Sequence, residues 1–80
     1  MNKQVRFYNM FNSTTQEELR VLFNYNDCTL KVQGSDFNTG KLTRREIIPM
    51  VEADAYLNQL EQDGFHIIKT EYRFKPSYVR

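Results

Sequence analysis

Apolar and polar residues alternate along several short stretches of this chain. That two-residue period constrains the fold more than any other feature, because only an extended strand sends successive side chains to opposite sides. Over Lys3 to Phe11, Val5 and Phe7 alternate with Gln4, Arg6 and Tyr8, which predicts a half-buried strand. Leu30 and Val32 alternate with Lys31 and Gln33 to give a second strand from Thr29 to Gln33, ended by Gly34-Ser35. Asn38-Thr39-Gly40 reads as a three-residue hairpin loop with Gly40 in the left-handed conformation, and Lys41 to Ile48 returns as a third strand. Pro49 cannot donate to a sheet ladder, so it marks the end of that strand, an edge or bulge, or the first turn of a following helix. Phe65 to Phe74 alternates again and predicts the last strand, closed by Pro76.

Two segments between these strands carry helical signals. Ser13 followed three residues later by Gln16 fits a capping box, Glu17 and Glu18 suit the positive end of a helix dipole, and Leu19, Leu22 and Phe23 share a helical face. A first helix is therefore expected over residues 14–25. A hairpin is the competing reading, because Leu19, Val21, Phe23 and Tyr25 also alternate and Asn26-Asp27 offers a tight turn into Cys28-Thr29-Leu30-Lys31-Val32. The cap favours the helix. From Met50 to Asp63, the residues Met50, Ala53, Leu57 and Leu60, with Tyr56 beside them, line one helical face, and Gly64 is a suitable stop.

With 80 residues, 40% of them apolar, the chain is expected to form one domain, 1–80, whose small core draws on six Phe and five Tyr. Cys28 is the only cysteine, which excludes an intrachain disulfide and a thiolate zinc site. Met1-Asn2-Lys3-Gln4 carries no apolar leader and no segment has the length of a membrane span, so a soluble protein of the cytoplasm is expected, with no membrane partner. Residues 46–68 hold five acids and no Lys or Arg, which leaves a surplus of six positive charges in the rest of the chain. The molecule is electrically two-sided if the acidic window folds as one element.

Read in order, these elements spell βαββαβ. The expected fold class is α+β: a ferredoxin-like, four-stranded antiparallel sheet with two helices on one face and the other face open.

Several stretches resemble the RNA-recognition motif (RRM) family. Val5-Arg6-Phe7-Tyr8-Asn9-Met10 resembles its first strand, Thr14-Thr15-Gln16-Glu17-Glu18-Leu19-Arg20-Val21-Leu22-Phe23 its first helix, and Asp36 through Lys41 the loop before its third strand. Glu71-Tyr72-Arg73-Phe74-Lys75-Pro76 is similar to its last strand. The resemblance implies base stacking by exposed aromatic residues on the third strand, where this chain has Arg44-Arg45-Glu46-Ile47-Ile48. By that correspondence Arg45 and Ile47 stand in place of rings, Arg6 replaces the first-strand ring, and Tyr8 remains as the ring on the open face. Guanidinium planes at Arg6 and Arg45 can stack and pair with phosphates.

Catalytic constellations are sparse. His66 is the only histidine, and nothing local orients it against Cys28. Cys28 reads as a small buried hydrophobe. Asp36 to Glu46 has the residue types of a calcium loop in order, but is one residue short and lacks a preceding amphipathic helix. The three glycines form no phosphate-binding motif. No enzyme activity, cofactor or metal is expected.

The expected function is that of a small binding module contacting single-stranded RNA or DNA through the open sheet face. Arg6, Tyr8 and Arg45 would make the contacts, flanked by Lys31, Lys69 and Arg73. The alternative is a small regulatory or inhibitory protein of the phage or mobile-element type. It would dock on a larger protein through the acidic helix or a patch around Ile47, and a homodimer formed through the sheet or an edge strand is a third option.

Overall fold

The computed structural model describes residues 2–75, with side chains described from residue 4 to residue 73. Five strands, β1 (Asn2–Asn12), β2 (Glu17–Asn24), β3 (Thr29–Asp36), β4 (Leu42–Pro49) and β5 (Phe65–Lys75), form one sheet in the order β4-β3-β2-β1-β5. Every neighbouring pair is antiparallel. The first four strands are a meander. After Pro49 a 3-10 turn, Met50–Glu52, leads into the single helix α1 (Ala53–Gln62), which returns the chain so that β5 pairs with the free side of β1.

This architecture corrects the expected ferredoxin-like fold: there are five antiparallel strands and one short helical segment, where four strands and two helices were anticipated. The difference lies in residues 14–25, most of which form β2. Burial explains it. Leu19 and Val21 are both 0% exposed while Leu22, which a helix would turn inward, is 37% exposed. That is strand periodicity, and the register Met10↔Leu19 and Tyr8↔Val21 joins these side chains to the buried face of β1. Sealing each such residue from water contributes about 1.5–3 kcal/mol, more than a helix cap supplies. The pair that mimicked a capping box serves the turn instead: the Gln16 side-chain amide donates to the Ser13 carbonyl at 2.8 Å.

One turn design recurs at all three hairpins of the meander. Asn12, Asn24 and Asp36 stand twelve residues apart, each as the last residue of its strand. In each, Oδ1 accepts main-chain N–H groups two and three residues on: Thr14 and Thr15, Asn26 and Asp27, Asn38 and Thr39. Four residues past the cap the backbone turns left-handed, at Gln16 (φ 61), Cys28 (φ 55) and Gly40 (φ 75). The loop read as three residues therefore has four, Phe37 to Gly40, closed by the Asp36 N–H donating to the Lys41 carbonyl at 2.8 Å, although Gly40 plays its expected part. Cys28, expected in the core, is exposed because it occupies this turn.

The core lies between α1 and one face of the sheet. Met10, Leu19, Val21, Leu30, Val32 and Phe65 of the strands meet Ala53 and Leu60 of the helix, with Tyr56 and Leu57 partly buried beside them. Ala53, Tyr56, Leu57 and Leu60 follow the spacing of one helical face, as the sequence predicts. Asp63 and Gly64 (φ 107) end the helix.

A polar clasp closes the same layer near its turn end. Arg44 Nε and Nη2 donate to the Glu17 carboxylate at 2.9 and 3.0 Å, bridging β4 to β2 over Gly34 of β3. A Cβ on Gly34 would stand 2.7 Å from Glu17 Oε2, so the missing side chain is what admits the clasp. Partial burial opposes the charge on Arg44, but the bonds and charge of Glu17 outweigh it and hold the guanidinium pKa above its ordinary value. Tyr56 lies close by. Burial, and then Glu46, push its phenol upward, while Arg44 opposes them.

Candidate nucleic-acid interface

The face of the sheet turned away from α1 has no covering element among the described residues, and the strand registers arrange its side chains in rows across the sheet. The central row runs Lys69, Asn9, Arg20, Gln33, Arg45 from β5 to β4. It alternates cations with amides and contains no acid. Strands lie about 4.8 Å apart, so successive cations of the row are separated by about 10 Å. The next row runs Glu71, Phe7, Leu22, Lys31, Ile47, and the row on the other side runs His66, Phe11, Glu18, Ser35, Leu42.

Local contacts keep Arg20 and Arg45 of the central row available. The Arg20 guanidinium carbon stands 4.5 Å from the centre of the Phe7 ring, which it covers, so the planar group lies on an aromatic base with its outer side towards solvent. Among the described residues no carboxylate lies within 4.0 Å of Arg20, Lys31 or Arg45. Glu71 is engaged by Arg6 at 3.2 Å and by Lys69 at 4.0 Å, which neutralises the acid nearest the β5 end of the row. Two shallow hollows flank Gln33. One of about 370 Å³ is lined by Asn9, Glu18, Leu19, Arg20, Gln33 and Ser35, and one of about 270 Å³ by Lys31, Val32, Gln33, Arg45, Glu46 and Ile47.

Rings gather at one end of this face. Phe11 is edge-on to Phe37, with centroids 5.4 Å apart, and edge-on to His66 at 6.4 Å. Phe37 belongs to the β3–β4 turn and is 60% exposed.

The residues expected to form the site divide into three groups. Lys31, Arg45 and Ile47 come together on the open face, where Lys31 pairs directly with Ile47 in the ladder and all three border the smaller hollow. Lys69 joins the same face from the β5 edge. Arg6 sits where the β1–β5 register shifts and is tied to Glu71, and Arg73 stands opposite Gln4 near the start of β1, away from the row. Tyr8 is a correction. It packs on the helix side against the core, with its ring edge-on to Phe23 at 5.4 Å, because Tyr8 and Met10, and not Phe7, face the helix.

Sequence reasoning missed Asn9, Arg20, Gln33, Phe11 and Phe37. The signal for the four strand residues is parity: once residues 17–24 are extended, Arg20 and Leu22 fall opposite Leu19 and Val21, and the paired strands carry Asn9, Gln33 and Phe11, whereas Phe37 lies in a turn that has no such period. Asp36, the first residue of the calcium-like stretch, spends its carboxylate on the turn, and those main-chain donors hold its pKa below the ordinary value. Among the described residues no three His, Cys, Asp or Glu side chains gather as a metal site, and no helix is long and apolar enough to cross a membrane.

Glu18 and Glu71 flank the central row on the open face, and the acids of the helical segment lie elsewhere. Glu52, Asp54, Glu61 and Asp63 are exposed on and beside α1, on the opposite side of the sheet from the cation row. In comparisons with known protein families, with characterised proteins and with solved structures, nothing matches this chain.

Proposed function

We propose that this chain is a non-enzymatic binding module that takes single-stranded RNA or DNA across its open sheet face. The observation that carries this reading is the acid-free central row, Lys69, Asn9, Arg20, Gln33 and Arg45, with Lys31 beside it. Regularly spaced cations separated by amides suit a ligand with repeating negative charge, and phosphate contacts supply most of the affinity in such complexes. A broad sheet face cannot enter a duplex groove, which admits a helix or a two-stranded ribbon, so an unpaired strand is the fitting form.

A protein partner is the second reading, favoured by the exposed Ile47 (65%) and by Leu22. The arrangement argues against it as the main use of this face. Protein interfaces concentrate apolar residues in a desolvated centre and keep charge at the rim, whereas here the charges hold the centre and the apolar residues the margins.

The test is a fluorescence-anisotropy titration of a labelled single strand at low salt, repeated at rising salt. Binding whose logarithm falls linearly with the logarithm of salt concentration is expected. Failure to bind RNA and DNA single strands at low salt, together with recovery of one stoichiometric protein in a nuclease-resistant pull-down, selects the protein partner instead.

A further inference from the structure

Resting on the nucleic-acid reading above, we infer that Phe37, supported by Phe11 and bordered by His66, is a stacking site for one unpaired nucleobase at the turn end of the cation row. Phe37 is the first residue of its four-residue turn, the place held by Ser13 and Tyr25 in the other two hairpins. Tyr25 puts its ring to structural use: its hydroxyl donates to the Val5 carbonyl at 2.8 Å and the ring stacks on Phe23. Phe37 carries no hydroxyl and, among the described rings, meets only Phe11, edge-on. Most of its surface faces solvent, yet its backbone is fixed on both sides, by its own N–H bonded to the Gln16 carbonyl at 2.8 Å and by the Asp36 cap over the next two amides.

The ring is 60% exposed, and its edge-on contact with Phe11 leaves ring surface accessible. Leu42, 54% exposed in the same row as Phe11, extends the apolar ground. Phe11 and Asn9 point to the same face two residues apart, about 7 Å along β1, so a base seated on the rings leaves its phosphate within reach of Arg20 or Lys69. The adjacent cations distinguish the expected occupant, a base on a charged backbone, from an uncharged apolar side chain.

The experiment compares a labelled oligothymidylate with an abasic strand of the same length and backbone charge. With Phe37→Ala, affinity for the oligothymidylate should fall about five- to a hundredfold at unchanged salt slope, while affinity for the abasic strand stays the same. Phe37→Trp should keep the affinity. Because the chain has no tryptophan, the introduced indole also reports contact directly, with emission quenched by the oligothymidylate and not by the abasic strand. Full affinity in Phe37→Ala, equal losses for the two strands, or unquenched indole in a formed complex would each overturn the stacking site and leave the cation row standing. A wild-type protein that binds neither strand removes the nucleic-acid reading and this site with it.

Discussion

The side-chain amide of Asn12 donates to the main-chain carbonyl of Asp63 at 3.0 Å, tying the first hairpin turn to the end of the helix fifty-one residues later. The same side chain accepts from Thr14 and Thr15, so one residue, 2% exposed, fixes both the local turn and the long-range closure that lets β5 begin. Asn24 caps its own turn in the same way, with its amide bonded only locally, to Asp27. Asn12→Ala should therefore cost about 2–3 kcal/mol, and Asn24→Ala about 1 kcal/mol, since buried groups left unpaired cost more than exposed ones. Urea denaturation midpoints of the two variants check the difference.

Left-handed backbone at a residue with a Cβ is a reservoir of strain. Cys28 (φ 55) pays for it where Gly40 (φ 75) does not. Cys28→Gly should stabilise the protein by about 0.5–1 kcal/mol after allowing for the added freedom of the unfolded chain. That amounts to a rise of a few degrees in Tm. Gly40→Ala is the mirror experiment. A Cβ there meets nothing within 4 Å, so the drop in Tm it produces measures the backbone alone.

Asp36 gives the acid limb of the stability curve a definite sign. Hydrogen bonds from the Thr39 and Asn38 amides depress its pKa in the folded state. Its contribution is thus present above the unfolded-state value, about 3.9, and is lost as pH falls through the lower folded-state value. Asp36→Asn keeps the accepting oxygen and removes the titration. Thermal melts from pH 6 downward should show a shallower decline in the variant than in the wild type below about pH 4.

Gly34 and the clasp above it should behave as one unit. An alanine methyl at Gly34 would stand 2.7 Å from Glu17 Oε2, Leu19 Cδ2 and Thr43 Oγ1, and overpacking of this kind costs about 1–3 kcal/mol. Relief comes by moving Glu17 and surrendering its bonds to Arg44. Gly34→Ala combined with Glu17→Gln should consequently cost less than the sum of the single changes, as a double-mutant cycle in urea reads directly.

On the open face, phosphate-pairing cations leave a signature in salt. Arg20→Ala and Arg45→Ala should each weaken single-strand binding and lower the salt slope by about one. Tyr8→Ala, on the helix side, should lower the Tm and leave the slope unaltered. Slopes unchanged in both arginine variants would move the ligand off the central row.

Much of this architecture is written locally. Alternation marked the strands around Val5, Leu30, Arg44 and Ile67, and the spacing of Ala53, Leu57 and Leu60 marked the helix that Gly64 stops. The expectation that Arg45 and Ile47 lie on the open face, with Lys31 and Lys69 beside them, came from the family resemblance and not from alternation, and the strand registers align all four there. Residues 14–25 resisted it, because Leu19, Val21, Leu22 and Phe23 satisfy a helical and an extended pattern at once, and Ser13 with Gln16 suits a cap and a tight turn equally. Asn12, Asn24 and Asp36 at equal spacing were the legible sign of three like hairpins.

By itself, the sequence determined which side chains share a face wherever the two-residue period runs unbroken, since that period is a property of extended backbone. The register shifts at Val5/Phe7, Asn9/Met10 and Gly34/Ser35, which put Ile67 and Lys69 on opposite faces, came with the pairing of the strands. Only the tertiary structure decided which of those faces the helix covers. On β1 the covered face is that of Tyr8 and Met10, which leaves Phe7 beneath Arg20 on the other side. The choice depends on how α1 returns the chain from β4 to β5 and on the registers that align five strands. Both are long-range pairings between residues whose own neighbours carry no trace of them.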